Sequence, residues 1–455
     1  MRKRTILIGL FVGLVMGLGF SSVRARPDQN GNGKLEAEFL EPVAWLAEQI
    51  GKRYVEPVDH KTLLVGACQG TLSKLDPYCE YRPPKAPAGS EPEGELVGPG
   101  FEIRFDPIRK APFIEESVRG TAAFQQGLLP GDAILEVREE STGEVTERTD
   151  LADLHDAVKM LWGKPGTEFT ITVLQLDDQK KREITLERKT EAPPGVSVVE
   201  MLDPQLKIGY VHLSCFSEAV AAELKAAMRE LEEQGVEGLI LDMRFNPGRP
   251  LGDARACGEL FLHGKVLTRI KGRTGPETVV RTPGEESREG LPMVVLVNRF
   301  TAGWAEVITA ALHDHKRAIL VGERTFGSAS IREPFASTFD DGTIVLTTAR
   351  YCSPNGNVIE GKGVEPDVEL ELSRQDSRKL ALYMSNGAVE SHKPTQTGQG
   401  QQTGSDGSPS TEEGADEEFR DVQLERALEV LTKELTELRT PATAVPETAA
   451  PVISE

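Results

Sequence analysis

Cysteine is scarce in this chain: Cys68, Cys79, Cys215, Cys257 and Cys352 are the only five among 455 residues. So sparse and odd a set excludes a disulfide framework as the basis of the fold, while a single Cys68–Cys79 bridge stays open. No C-x-x-C occurs, and the seven histidines include one close pair, His313-x-His315. With no metal-ligand spacing to read, neither a metal nor a cofactor is expected. A Lys/Arg-rich block is also missing beyond the first few residues, and the net charge is −20. Such a surface repels phosphate backbones and excludes nucleic acid as an expected partner.

What the N-terminus does carry reads as an export signal. Arg2, Lys3 and Arg4 precede an apolar run from Ile6 to Phe20, and Val23-Arg24-Ala25 supplies a small-residue exit. Residues 1–25 are therefore expected to be a signal peptide cleaved after Ala25; the alternative is an uncleaved anchor, which would be the sole membrane contact. Either way the remainder is expected to be exported, to the periplasm or cell envelope. Its length is enough for two or three domains.

Composition and periodicity divide that remainder. Residues 26–95 are expected to form a helical N-terminal region: Val43, Leu46, Ile50 and Tyr54 recur at helical spacing, and Leu63, Leu64, Ala67 and Leu72 form a second set. From 96 to 192 short alternating segments such as Phe101–Phe105 and Phe169–Val173 predict strands, with a helix at Leu154–Leu161. Residues 193–375 alternate apolar strands (Ile208–Leu213, Gly238–Asp242, Val294–Val297, Ile319–Val321, Ile344–Thr348) with amphipathic helices, which predicts a layered α/β core. Residues 376–420 lack large apolar side chains over most of their length and are expected to be a disordered linker. A helix at 421–438 and a Pro/Ala/Thr tail at 439–455 complete the chain.

Two kinds of motif carry chemistry. Gly98-Pro99-Gly100-Phe101 is a glycine loop leading into a strand, a geometry that aims backbone N–H groups at an anion. Together with Ala122-Ala123, Gly127-Leu128, Pro130-Gly131-Asp132 and Ile134-Leu135, it resembles the core of a PDZ domain, in which an extended peptide adds a strand beside that loop. Around this module, Leu75-Asp76-Pro77-Tyr78-Cys79-Glu80-Tyr81 resembles the LDPxSxY string of the C-terminal processing (tail-specific) serine peptidases. Leu241–Gly248 resembles their LDLRxNPGG, Gly361–Asp367 their closing string, and Gln423–Leu428 their final helix. The resemblance runs in order from about Glu38 to Leu431. It implies a crotonase-like layered core with an inserted PDZ domain.

The same resemblance shows where the chemistry is missing. The family pairs a nucleophilic serine with a lysine base, and that lysine must be neutral to take the proton. Laid on the pattern, Asn298, Thr301, Ala302 and Glu306 match, but the nucleophile position is Gly303. The lysine position is Ser328, the supporting glutamine falls at Arg332, and the second glycine of the turn at Asn246, Pro247 and Gly248 is Arg249. Glycine cannot attack a carbonyl, and serine is no general base near neutral pH. Thr301 is the nearest fallback nucleophile, without an evident base.

Two readings of the new arginines stand: they bind acidic peptide segments in the cleft, or they face water. The expected function is a family member without proteolytic activity that binds protein C-termini or unfolded, extended peptides. The alternatives are an active peptidase with a rewired site, and a scaffold for a peptidase paralogue.

Overall fold

The computed structural model describes residues 37–82, 97–106, 111–151, 154–189, 193–249, 254–283, 288, 290–385 and 419–439. The expected signal segment, most of the loop before the β-rich module and the Pro/Ala/Thr tail lie outside them. The chain divides into two compact units, Met1–Pro77 and Tyr78–Glu455. The described part of the first is a helix pair, α1 (Ala37–Arg53) and α2 (His60–Leu72). The two apolar sets anticipated this pair. Pro57, which has no N–H to donate, lies in the break between the helices. Tyr54, read as part of the first set, falls just beyond α1. No disulfide joins any of the five cysteines.

The second unit opens with β1 (Glu80–Arg82). A β-rich module follows: β2 (Phe101–Asp106), β3 (Ala111–Ser117), α3 (Ala122–Gln125), β4 (Ala133–Glu139), β5 (Val145–Glu147), α4 (Leu154–Leu161), β6 (Glu168–Leu174) and β7 (Lys181–Glu187). Its antiparallel sheet runs β2-β3-β4-β6-β7, with β5 beside β4, so β2 is an edge strand. Alternation along β2 turns Phe101 and Ile103 into the module's core and leaves Glu102 and Arg104 on the other face.

The rest of the unit holds β8 (Val196–Asp203), β9 (Ile208–Leu213), α5 (Val220–Glu233), β10 (Gly238–Asp242), α6 (Ala254–Glu259), β11 (Val266–Gly272), β12 (Thr278–Arg281) and β13 (Met293–Val297). These are followed by α7 (Trp304–Asp314), β14 (Ile319–Gly322), β15 (Ser330–Ala336), β16 (Thr343–Cys352), β17 (Val368–Glu369), α8 (Arg374–Ser385) and α9 (Val422–Arg439). One sheet runs β17-β14-β13-β10-β9-β8, parallel except for β8 on β9. Its central strands are apolar on both faces because both are covered. Leu239, Leu241, Val295 and Val297 face α5, α6 and α7, while Ile240, Val294 and Leu296 face Leu424, Ala427, Leu431 and Leu435 of α9. The α/β expectation is met by this mixed, layered arrangement. A second sheet runs β1-β16-β11-β12, with β15 on β16.

The linker expectation needs correcting at its start. Residues 374–385 form α8, whose Leu380, Ala381 and Met384 are buried against Phe124, Leu129, Phe245 and Phe300. Arg378 of α8 is held by two carboxylates of the β-rich module: Nη1 to Asp132 at 2.8 Å and Nη2 to Asp177 at 2.6 Å. A composition reading misses this helix because polar residues surround its apolar face, and its strongest anchor is a buried arginine. The rest of the expected linker lies outside the described residues, apart from Phe419 and Arg420.

Helix α9 is anchored in a comparable way. The buried Arg244 guanidinium donates to Asp242 beside it and, through Nη1 and Nη2, at 2.8 Å each to the two oxygens of Asp421, the residue immediately before α9. Tyr210 donates to the same Asp242 at 2.8 Å. Removing one member of such a pair strands a buried charge. Asp421→Ala is accordingly expected to lower unfolding stability by about 3–5 kcal/mol, measured by urea denaturation; a loss under about 1 kcal/mol, the size of an exposed pair, would contradict this anchoring role.

Candidate functional site

Two turns at the C-terminal ends of β10 and β13 build the site. Asn298, just past β13, binds them together: its Oδ1 accepts from Phe245 N and Phe300 N, both at 3.1 Å. Thr301 reinforces the link. Its hydroxyl accepts from Asn298 N at 3.0 Å and donates to the Met243 carbonyl at 2.9 Å, and the residue is fully buried. A hydroxyl so committed is a structural tie, which removes Thr301 as a fallback nucleophile.

Gly303 caps α7 with φ 57° and ψ −125°. These are the backbone angles of a sharp strand-to-helix turn of the nucleophile-elbow kind, a strained conformation for any residue with a side chain. Gly303, which has no side chain, adopts this turn at the N-terminus of α7. A Cβ on Gly303 would lie 2.7 Å from the Gly248 carbonyl oxygen, and one on Gly248 would lie 1.8 Å from the Ala302 oxygen. The two turns interlock through the space that side chains would need.

Backbone hydrogen bonds lock that contact. Ala302 N donates to Asn246 O, and Trp304 N to Gly248 O, both at 2.9 Å. Gly248 N donates to Asn246 Oδ1 at 2.9 Å, while Asn246 Nδ2 holds the Leu213 carbonyl at 2.8 Å. Asn246, Gly248 and Ala302 are thus brought together as expected. The N–H groups of Gly248, Ala302, Gly303 and Trp304 are all hydrogen-bonded inside the protein.

The carboxylate of Glu306 joins Gly303 to the Thr325–Ser328 segment. Oε2 accepts from Gly303 N at 3.1 Å and Ser328 N at 2.7 Å; Oε1 accepts from Thr325 Oγ1 at 2.5 Å and Gly327 N at 2.6 Å. Burial pushes the Glu306 carboxyl up to about 7, against the downward pull of Thr325 and the backbone donors.

Around Ser328 the structure places residues the sequence did not single out. Ser328 Oγ accepts from Arg332 Nη2 at 3.3 Å and hydrogen-bonds Tyr78, whose phenol is shifted upward chiefly by burial. The Arg332 guanidinium lies 4.0 Å from the Tyr78 ring centroid, and Arg104 of β2 lies 4.8 Å from it. Tyr78 occupies a variable position of the LDPxSxY-like string, so the motif gave no reason to notice it.

Arg249, its side chain half exposed, is paired with carboxylates. Its Nε lies 2.6 Å from Glu116 and Nη1 3.3 Å from Glu102, carboxylates that face each other across β2 and β3. Its partners belong to the chain itself. The glycine loop lies directly before these carboxylates: Val97 bridges Gly163, Gly98, Pro99 and Gly100 follow, and Phe101, its ring buried, starts β2 one residue ahead of Glu102.

Comparisons place the chain among known proteins. The description "Peptidase family S41" matches residues 207–370. Carboxy-terminal processing protease CtpA of Bacillus subtilis is 32% identical over 329 residues, 71% of this chain and 67% of that protein. The carboxyl-terminal-processing protease of Synechocystis sp. is 30% identical over 342 residues, 74% of this chain and 77% of its own length. Among solved structures, a photosystem II D1 C-terminal processing protease superposes with a TM-score of 0.56 at 27% identity, covering 72% of this chain and 87% of that one.

The state of Glu306 yields a pH prediction. Its folded value of about 7 stands above the model-compound value of 4.5, so the folded protein binds this proton more tightly than the unfolded chain. The contribution is fully present below about 4.5 and is lost as pH rises through about 7. Unfolding measured across that range should show the wild type losing stability relative to Glu306→Gln, which cannot titrate. A stability difference that stays flat with pH would refute the assignment.

Proposed function

Since this chain belongs to the carboxy-terminal processing proteases of peptidase family S41, we propose that it binds protein C-termini or extended peptides without cutting them. The observation that carries this reading is the elbow at Gly303, which keeps the backbone of a nucleophile turn and lacks the nucleophile, with Ser328 where a base would stand. Loss of either partner of a catalytic pair costs orders of magnitude in rate, and the neighbouring N–H donors are already taken. The β-rich module supplies the binding element. Read as a PDZ domain, it offers the glycine loop Gly98–Phe101 to a terminal carboxylate and the open edge of β2 to the peptide backbone. The basic and apolar N-terminal run supports export, so the peptides met would be those of the periplasm or cell envelope.

The names of the relatives favour a second reading, an active processing protease. The two part company in one assay. The mature protein, incubated with unfolded proteins and C-terminally tagged substrates, should leave their masses unchanged by mass spectrometry. Specific cleavage that survives repurification would overturn the proposal.

Binding has its own test. A carboxylate held by backbone N–H groups is lost when the peptide is amidated, so free-acid peptides should bind at least about tenfold more tightly than their amides, the span of one charge-assisted hydrogen bond. Equal affinities across a peptide library would rule out recognition of the C-terminus.

A further inference from the structure

The cleft of a processing protease has to admit a chain, and here both of its walls reach to one face of the same hairpin. On that face of β2 and β3, opposite the module's core, stand Glu102, Glu116 and the Arg104–Glu115 ion pair. One wall, the turn at Asn246–Gly248, reaches this face through Arg249. The other wall, around Ser328, reaches it through Tyr78, whose ring carries the guanidiniums of Arg332 from the core and Arg104 from β2. We propose that Arg249 and Arg332, at positions where the family has a glycine and a glutamine, have become a clasp that seats the β2–β3 hairpin over the former cleft. The cleft is then a docking seat for the chain's own hairpin and no longer part of a peptide path.

The chemistry of these residues fits a seal better than a receptor. A guanidinium awaiting an acidic peptide would need its donors free, whereas Arg249 already meets two carboxylates. The Glu102–Glu116 pair sets like charges face to face across two strands, an arrangement that costs stability unless a cation lies between them. Arg249 is that cation. The two guanidiniums over Tyr78 would likewise repel each other; the electron-rich ring and the Glu115 carboxylate offset that repulsion. Behind the hairpin the module is already fixed by Arg378 on Asp132 and Asp177 and by the Phe124–Phe245–Phe300 contacts, so the clasp adds a tie on the hairpin's own side.

Amide hydrogen exchange of the full mature chain tests the clasp without reference to peptide binding or cleavage. Arg249→Glu should speed exchange in 101–106 and 111–117 by about two- to fivefold, the scale of a half-exposed ion pair, with the unfolding midpoint nearly unchanged. Combining it with Glu102→Arg and Glu116→Arg should return exchange toward the wild-type rate. If Arg249→Glu lowers the midpoint by itself, the milder Arg249→Gln reads the same segments. Wild-type exchange in both Arg249 variants would overturn the clasp, as would faster exchange that the reversed charges fail to restore.

Discussion

The buried carboxylate of Glu306 is the contact around which the site is arranged. It receives four donors, and two of them are the backbone N–H groups of Gly303 and Ser328, the positions where a nucleophile and a base would stand. Because those bonds run to main-chain atoms, they hold the two positions without help from side chains at 303 and 328, and a side chain at 303 would meet the Gly248 carbonyl.

The absence of a Cβ at Gly303 also sets the volume between the turns. The Gly248 carbonyl oxygen lies 2.7 Å from where one would be and accepts the Trp304 N–H. An unpaired buried N–H costs about as much as a hydrogen bond gains, so this close approach satisfies a donor.

Much of this was legible in the chain, and the exceptions share a cause. The apolar runs at Gly238–Asp242 and Met293–Val297 announce strands buried on both faces, and the turn after the first announces itself by Asn246, Pro247 and Gly248. The positions of Gly303 and Ser328 followed from register with a family pattern, and α9 from its helical spacing. Arg249 was visible as a substitution, yet its partners Glu102 and Glu116 lie in a distant module that no local pattern connects to it. Helix α8 was lost in a polar stretch because Arg378, its anchor, reads as a surface residue until Asp132 and Asp177 enclose it. Thr301 read as a spare hydroxyl until both of its hydrogen bonds were seen. Side chains whose roles depend on tertiary partners are silent in one dimension.

The ties between module and core differ in strength. Behind the hairpin, Asp132 is fully buried and Arg378 nearly so, and parting such a pair leaves a charge without water, about 3–5 kcal/mol. In front, Arg249 has its side chain 44% exposed; Glu102 is 47% exposed and the nearer partner, Glu116, 18% exposed, so this tie stands between an exposed pair of about 0–1 kcal/mol and a buried one. It is the weaker of the two. Phe124 belongs to the stronger side: edge-on to Phe245 at 5.3 Å, it touches the residue immediately before Asn246. The module is coupled to the turn through this aromatic contact even when the arginine has let go.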